Sequence, residues 1–191
     1  MPEGMKRLLV AMVVVAVVAI MSFSRIVSNY NKVVAMDEEV KNQWAQVENQ
    51  LKRRYDLIPN LVETVKGYAA HERELFDRIA QYRTQYFQAR GPTDQIKAAN
   101  ELEGLLSRLL VLRETYPDLK ANQSFLKLQD SLEGTENRIA VERKRYNDAV
   151  KILNTYSRTF MGRFFASIAG VEMATYYEIP EDEKEAPKVK F

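Results

Sequence analysis

The chain opens on a stretch with no polar rhythm and then settles into a regular one. Residues 8–24, LLVAMVVVAVVAIMSFS, are seventeen positions without a charge, bounded by Lys6 and Arg7 on one side and Arg25 on the other. A helix of that length spans about 25 Å, slightly under the roughly 30 Å hydrocarbon core of a bilayer. Lys6, Arg7 and Arg25 can snorkel at the two faces and extend the span. Leu8, Leu9, Val13, Val17, Ile20 and Phe23 are the expected anchor residues, with Phe23 and Tyr30 placed to sit near an interface. A cleaved signal peptide shares the charged start and apolar middle. Met21, Ser22, Phe23 and Ser24 offer no small-x-small cleavage site, however, and a helical pattern starts at Arg25, so an anchor is expected over residues 1–25.

From Val33 the apolar positions step by three and four: Val40, Trp44, Val47, Leu51, Tyr55, Ile58, Val62, Val65, Ala69, Phe76, Ile79, Tyr82 and Tyr86. This is the stripe of an amphipathic helix, with Glu, Lys, Arg, Gln and Asn between. Gly91-Pro92 ends the run, and Thr93 is the expected N-cap of a second helix from Asp94 to Tyr116. Its inner face carries Ile96, Ala99, Leu102, Leu106 and Leu109. Tyr116-Pro117 closes it, because a residue before proline disfavours the helical region. Asp118 is then expected to cap a third helix through Leu119, Leu126, Leu132, Ile139, Tyr146, Val150 and Leu153 to about Phe160. No alternating strand pattern occurs.

Rods of about 80, 35 and 65 Å pack poorly as a plain three-helix hairpin. Pro59 offers a way out, since proline within a helix removes one backbone bond and kinks or breaks it. The segment from Tyr55 to Asn60 either divides the first rod or only bends it, with Asp56 or Asn60 as caps of a restarted helix. Gly134 is a second weak point, costing about 1 kcal/mol against alanine.

Composition narrows the chemistry. Among 191 residues, 28% are charged and 46% apolar, a globular rather than disordered balance. The net charge of +2 implies no strong electrostatic partner, and basic residues are dispersed without a platform for nucleic acid. The absence of cysteine excludes disulfides, thiol catalysis and cysteine-ligated metal. His71 is the single histidine; its neighbour Glu72 does not share its helix face, so they make no acid-base pair. Glu101, Glu103 and Glu114 lack the Glu-x-x-His pairs of a di-metal bundle and read as solvated surface charges. No catalytic, metal or cofactor residue is expected.

Two stretches carry a resemblance. Residues 50–72 read QLKRRYDLIPNLVETVKGYAAHE. The second stretch holds Tyr116-Pro117, Ala121-Asn122, Phe125, Leu128-Gln129 and Leu132. It continues with Gly134-Thr135-Glu136-Asn137-Arg138-Ile139-Ala140, then Arg143, Tyr146-Asn147 and Ala149-Val150. Together they resemble the signature of the LemA family of bacterial membrane proteins and frame residues 26–160. The resemblance implies an all-α fold: an N-terminal transmembrane helix and an antiparallel four-helix bundle. It implies membrane association and no established catalytic activity. A relative is associated with magnetosome membranes, which makes membrane organisation the inherited idea. The family commonly follows its third helix with a proline-bearing apolar segment, whereas residues 160–170 here contain no proline.

Arg53, Arg54 and Asp56 near Pro59 are expected to form a salt-bridge network with Glu136 and Arg138, in preference to holding headgroups or a partner's carboxylates. Asn60 and Asn137, polar among apolar stripes, are expected to be buried amides that fix helix register. Phe160, together with Phe164, Phe165, Ile168, Tyr176 and Tyr177 of an apolar aromatic tail over residues 161–179, is a candidate contact with the bilayer or a partner. Residues 180–191 are charged and are expected to be mobile.

The expected function is a membrane-anchored, non-catalytic helical protein that self-associates as a homo-oligomer and organises or scaffolds the bacterial inner membrane. Its partners are the lipid bilayer and other membrane proteins; nucleic acid is not one. The alternative is an adaptor or accessory subunit of another membrane protein, such as a protease or envelope-stress component. Lys6 and Arg7 nearly balance Arg25 and Lys32, and the pair before the span tips the expected placement of the bundle to the periplasmic side.

Overall fold

The computed structural model describes residues 3–178, without the side chains of residues 5, 6 and 8. The expected mobile segment 180–191 and the side chain of Leu8 lie outside the described residues. The order is α1 (Glu3–Lys66), α2 (Arg73–Gln88), α3 (Pro92–Thr115), α4 (Pro117–Lys120), α5 (Gln123–Arg158) and α6 (Phe160–Ala169). An extended segment, residues 171–178, follows, and no strand occurs among the described residues. Two compact units divide the chain. The anchor unit is the chain up to Lys41 with Ala149–Ala174; the bundle unit is Asn42–Asp148 with the described residues from Thr175.

In the bundle unit α1, α2, α3 and α5 form the up-and-down arrangement of an all-α bundle. Tyr55 on α1 meets Tyr86 on α2, ring centroids 4.7 Å apart, while Lys66 lies over the ring of Phe76, so α1 and α2 run in opposite senses. Trp44 pairs with Gln95 and Arg54 with Glu103, so α3 runs along α1. Trp44 also meets Tyr146 and Arg54 meets Glu136, so α5 opposes α1. The core follows the helical stripes: Val47, Leu51, Tyr55 and Ile58 on α1, Leu102, Leu106 and Leu109 on α3, and Leu132, Ile139 and Tyr146 on α5. At two steps the neighbour of the expected residue is the one buried: Leu61 rather than Val62, and Phe125 rather than Leu126.

Helix α1 does not break at Pro59; it continues to Lys66 and the chain reverses over residues 67–72. The bond lost to proline is the one its N–H would give to the carbonyl four residues back, that of Tyr55. Arg83 Nε on α2 donates to that carbonyl at 3.1 Å, so the acceptor freed by proline is satisfied from outside the helix. The expected caps also differ. α3 begins at Pro92 after Gly91, so Thr93 lies inside it. Pro117 to Lys120 make one separate turn, after which the Asn122 side chain, not Asp118, accepts from Phe125 N at 2.9 Å at the start of α5.

Candidate functional site

In the bundle unit, Arg54 is 3% exposed. Its guanidinium reaches two helices at once, Glu103 on α3 at 2.6 Å and Glu136 on α5 at 2.8 Å, and also donates to the Leu132 carbonyl at 3.0 Å. A planar, permanently charged fork is the side chain suited to such divergent partners. Above it Trp44 Nε1 donates to Gln95 Oε1, and Gln95 Nε2 donates to Glu48 Oε1 at 2.8 Å, a relay between α1 and α3. Around these lie buried tyrosines. Burial pushes the phenols of Tyr55, Tyr86 and Tyr177 well above the usual range and that of Tyr146 to about 12. These groups are neutral packing elements at ordinary pH.

The extended segment is held by side-chain amides that mimic strand pairing. Asn147 donates through Nδ2 to the Tyr177 carbonyl at 3.0 Å and accepts from Tyr177 N at 2.8 Å. Tyr146 donates its hydroxyl to the Thr175 carbonyl at 2.7 Å, and Asn100 Nδ2 donates to the Glu178 carbonyl at 3.0 Å. The ring of Tyr177 enters the core beside Trp44, and Arg143 lies over it. In the anchor unit, buried Asn154 makes the same double bond to Ala174.

The anchor unit carries the other notable surface. Every described side chain at positions 9–28 is exposed, although most are large and apolar. The helix is long and apolar enough to cross a membrane there. Five residues further on, Val33 is buried against Phe165 and Ala166 of α6, with Tyr156, Ala169 and Val171 around them. Tyr156 donates its hydroxyl to Asn29 Oδ1 at 2.9 Å, and Lys32 lies over its ring. Thr159 caps α6 by accepting from Gly162 N at 3.0 Å. Gly162 is required by close approach: a Cβ there would overlap the Tyr156 carbonyl. Gly170, at φ 66°, ends the helix in the left-handed region. One face of α6 is thus buried and the other is bare: Phe160 is 90% exposed, and Met161, Phe164 and Ile168 are about half exposed or more.

The model of the LemA family matches residues 43–191. The chain belongs to the LemA family. It is also 23% identical over 126 residues to Protein LemA of Metamycoplasma hominis, across 65% of this chain and 57% of that protein. The chain therefore matches little more than half the length of this curated relative.

The family signature places its charged residues unevenly. Arg54 and Glu136 meet as expected, but Arg53 and Arg138 are exposed and outside this ion-pair cluster. Asp56 reaches instead to Arg83, at 3.9 Å. Glu103 is not a free surface charge but the shortest partner of Arg54. Glu101 is exposed, and Glu114, also exposed, is held below the ordinary carboxylate range by Lys120 first and then Arg113. Asn60 and Asn137 are exposed and need no buried partner; the amides that work in the interior are Gln95 and Asn154. His71 is exposed. Among the aromatic-tail residues, Phe165 and Tyr177 are buried in the fold and unavailable as contacts, while Phe160, Phe164, Ile168 and Tyr176 are exposed. Among the described residues no group of three or more His, Cys, Asp or Glu is placed to hold a metal ion.

Sequence reasoning passed over Glu103, Arg83, Gln95, Asn147 and Asn154 as positioning residues. A weak signal existed for Asn147, which lies in the second family motif beside Tyr146.

Proposed function

We propose that this chain is a non-catalytic, single-pass protein of the bacterial inner membrane, in which the apolar start of α1 spans the bilayer and the helical body self-associates to organise it. The observation that carries the reading is the bare apolar surface over positions 9–28, beside helices that otherwise bury an apolar stripe. Leaving such a surface in water is unfavourable by about 25 cal/mol per Å², and lipid removes that penalty. The exposed face of α6 supplies a second apolar surface, and confinement to a bilayer raises the effective concentration for contacts between copies. The bundle unit supplies rigid, ion-paired helices rather than a cleft with convergent reactive groups.

Cross-linking of the full chain in native membranes, followed by mass spectrometry, tests self-association. Links between two copies of the same peptide, with α6 and its neighbours among them, are expected. Links that run mainly to one foreign protein would replace scaffolding with an adaptor role.

A further inference from the structure

We propose that the groove beside α6 binds the phosphate headgroup of an anionic phospholipid, with its acyl chains lying along Phe160, Met161 and Phe164. The groove, of about 570 Å³, is lined by Ser157, Arg158, Arg163, Ala166, Ser167, Val171 and Met173. Arg163 and Ser167 also line a second, apolar depression of about 550 Å³ formed with Phe160, Met161 and Phe164. The two are therefore continuous, one end cationic and the other aromatic.

The polar end is unfinished in a way that suits an anion. Ser157 is 9% exposed, and its Oγ has no hydrogen-bond partner among the described residues. A buried hydroxyl in that condition has a cost, which an acceptor oxygen in the groove would remove. No acidic residue lines either depression, and neither Arg158 nor Arg163 has a carboxylate partner among the described residues. Guanidinium forks matched to a phosphate, with a hydroxyl beside them, are a recurrent anion-binding chemistry.

Height along α1 selects lipid over a dissolved anion. A hydrocarbon core of about 30 Å takes about twenty helical residues, which residues 8–27 supply if Arg25 snorkels. Asn29, which holds Tyr156, is then about 3 Å beyond the core, and Val33, which holds Phe165, about 9 Å. Each headgroup layer is roughly 5–8 Å thick, so the contact that holds the end of α5 falls within it and the one that holds α6 at its outer edge. This inference rests on the reading of α1 as a membrane span.

The full chain is to be reconstituted in vesicles of phosphatidylcholine and phosphatidylglycerol, floated on a density gradient, and its co-purifying lipids measured by native mass spectrometry. Flotation with preferential retention of phosphatidylglycerol is expected. The preference should fall about tenfold in Arg158→Gln/Arg163→Gln, the equivalent of one lost charge-assisted contact. Fluorescence of Trp44, the sole tryptophan, reports that the bundle unit of this variant is folded, and hydrogen exchange of α6 amides reports the same for the altered region. Phe160→Ser/Phe164→Ser should release the lipid while leaving both arginines in place. Excess inorganic phosphate should not displace it. Displacement by phosphate would replace the lipid with a free anion as the ligand. Equal retention of both lipids, or an unchanged preference in the double arginine variant, would overturn the headgroup assignment while leaving the anchor intact. Failure of the parent chain to float would overturn the anchor itself and the lipid site with it.

Discussion

Replacing Arg54 by methionine keeps an unbranched apolar stem and removes the cation that contacts both Glu103 and Glu136. The two carboxylates then face a pocket built for a positive charge. Breaking a buried pair by removing one partner costs about 3–5 kcal/mol. The glutamates are 27% and 42% exposed and can draw water, which argues for the lower end, about 3 kcal/mol. The Leu132 carbonyl loses a donor too, but Thr135 Oγ1 still donates to it at 2.8 Å, so that part is small. For a chain of this size about 3 kcal/mol corresponds to a fall in Tm of about 6–12 °C. Thermal unfolding of the full chain in lipid nanodiscs, followed by Trp44 fluorescence and far-ultraviolet dichroism, measures it. The companion variant Arg54→Met/Glu103→Leu/Glu136→Leu removes every charge and should recover most of the loss, because a fully apolar replacement carries no stranded ion. A Tm for Arg54→Met within about 1 °C of the parent, or a triple variant no better than the single one, would refute the view that this network ties α1 to α3 and α5.

Three further expectations follow from single observations. Arg83→Ala should cost about 1–3 kcal/mol by orphaning the Tyr55 carbonyl. In Pro59→Ala, where a backbone N–H is restored, the same change should be nearly silent; strictly additive losses in urea unfolding would contradict the pairing. Gly162→Ala should cost about 1–3 kcal/mol of local overpacking at the α5–α6 turn. Hydrogen exchange should show α6 amides losing protection while those of α2 and α3 keep theirs, and unchanged exchange in α6 would count against the close approach. The folded-state values of Tyr55, Tyr86, Tyr146 and Tyr177 are raised above the unfolded value near 10. Their contribution is therefore fully present below about pH 10 and is lost as pH rises through the folded values. Tm should fall steeply only above that point, with late phenolate absorbance at 295 nm appearing as the chain unfolds; simultaneous titration of all ten tyrosines without a fall in Tm would be the contrary result.

The helices were legible because apolar residues recur at helical spacing and the breakers are few. Where two apolar residues adjoin, as at Leu61-Val62 and Phe125-Leu126, both satisfy the spacing, and only the neighbouring helix decides which is buried. Pro59 could not be settled locally because the group that rescues its helix, Arg83, is 28 residues from the Tyr55 carbonyl it serves. The same holds for the tail. Asn147 and Asn154 pair with backbone 30 and 20 residues downstream, and periodicity carries no trace of such pairing. Residues 160–170 lack the family's proline, and the segment after them is anchored by side-chain amides. Arg54 and Glu136 were legible as a pair through the family motifs, whereas Glu103 was missed because a carboxylate on a helix surface reads as solvated until a buried cation faces it.

Positions 8–27 of α1 are proposed to cross a bilayer, and the body is not. Because the chain has no cysteine, single cysteines can be placed at Val13, Val17 and Ile20, and at exposed Lys52 and Lys144 in the body. Labelling of sealed vesicles with a charged maleimide reads each site. The three span positions should remain unlabelled until detergent and denaturant are added, because a thiol in hydrocarbon meets neither water nor reagent. Lys52→Cys and Lys144→Cys should label together, from whichever side the body occupies. Labelling of Val17→Cys at the rate of the body positions in intact vesicles would contradict the account.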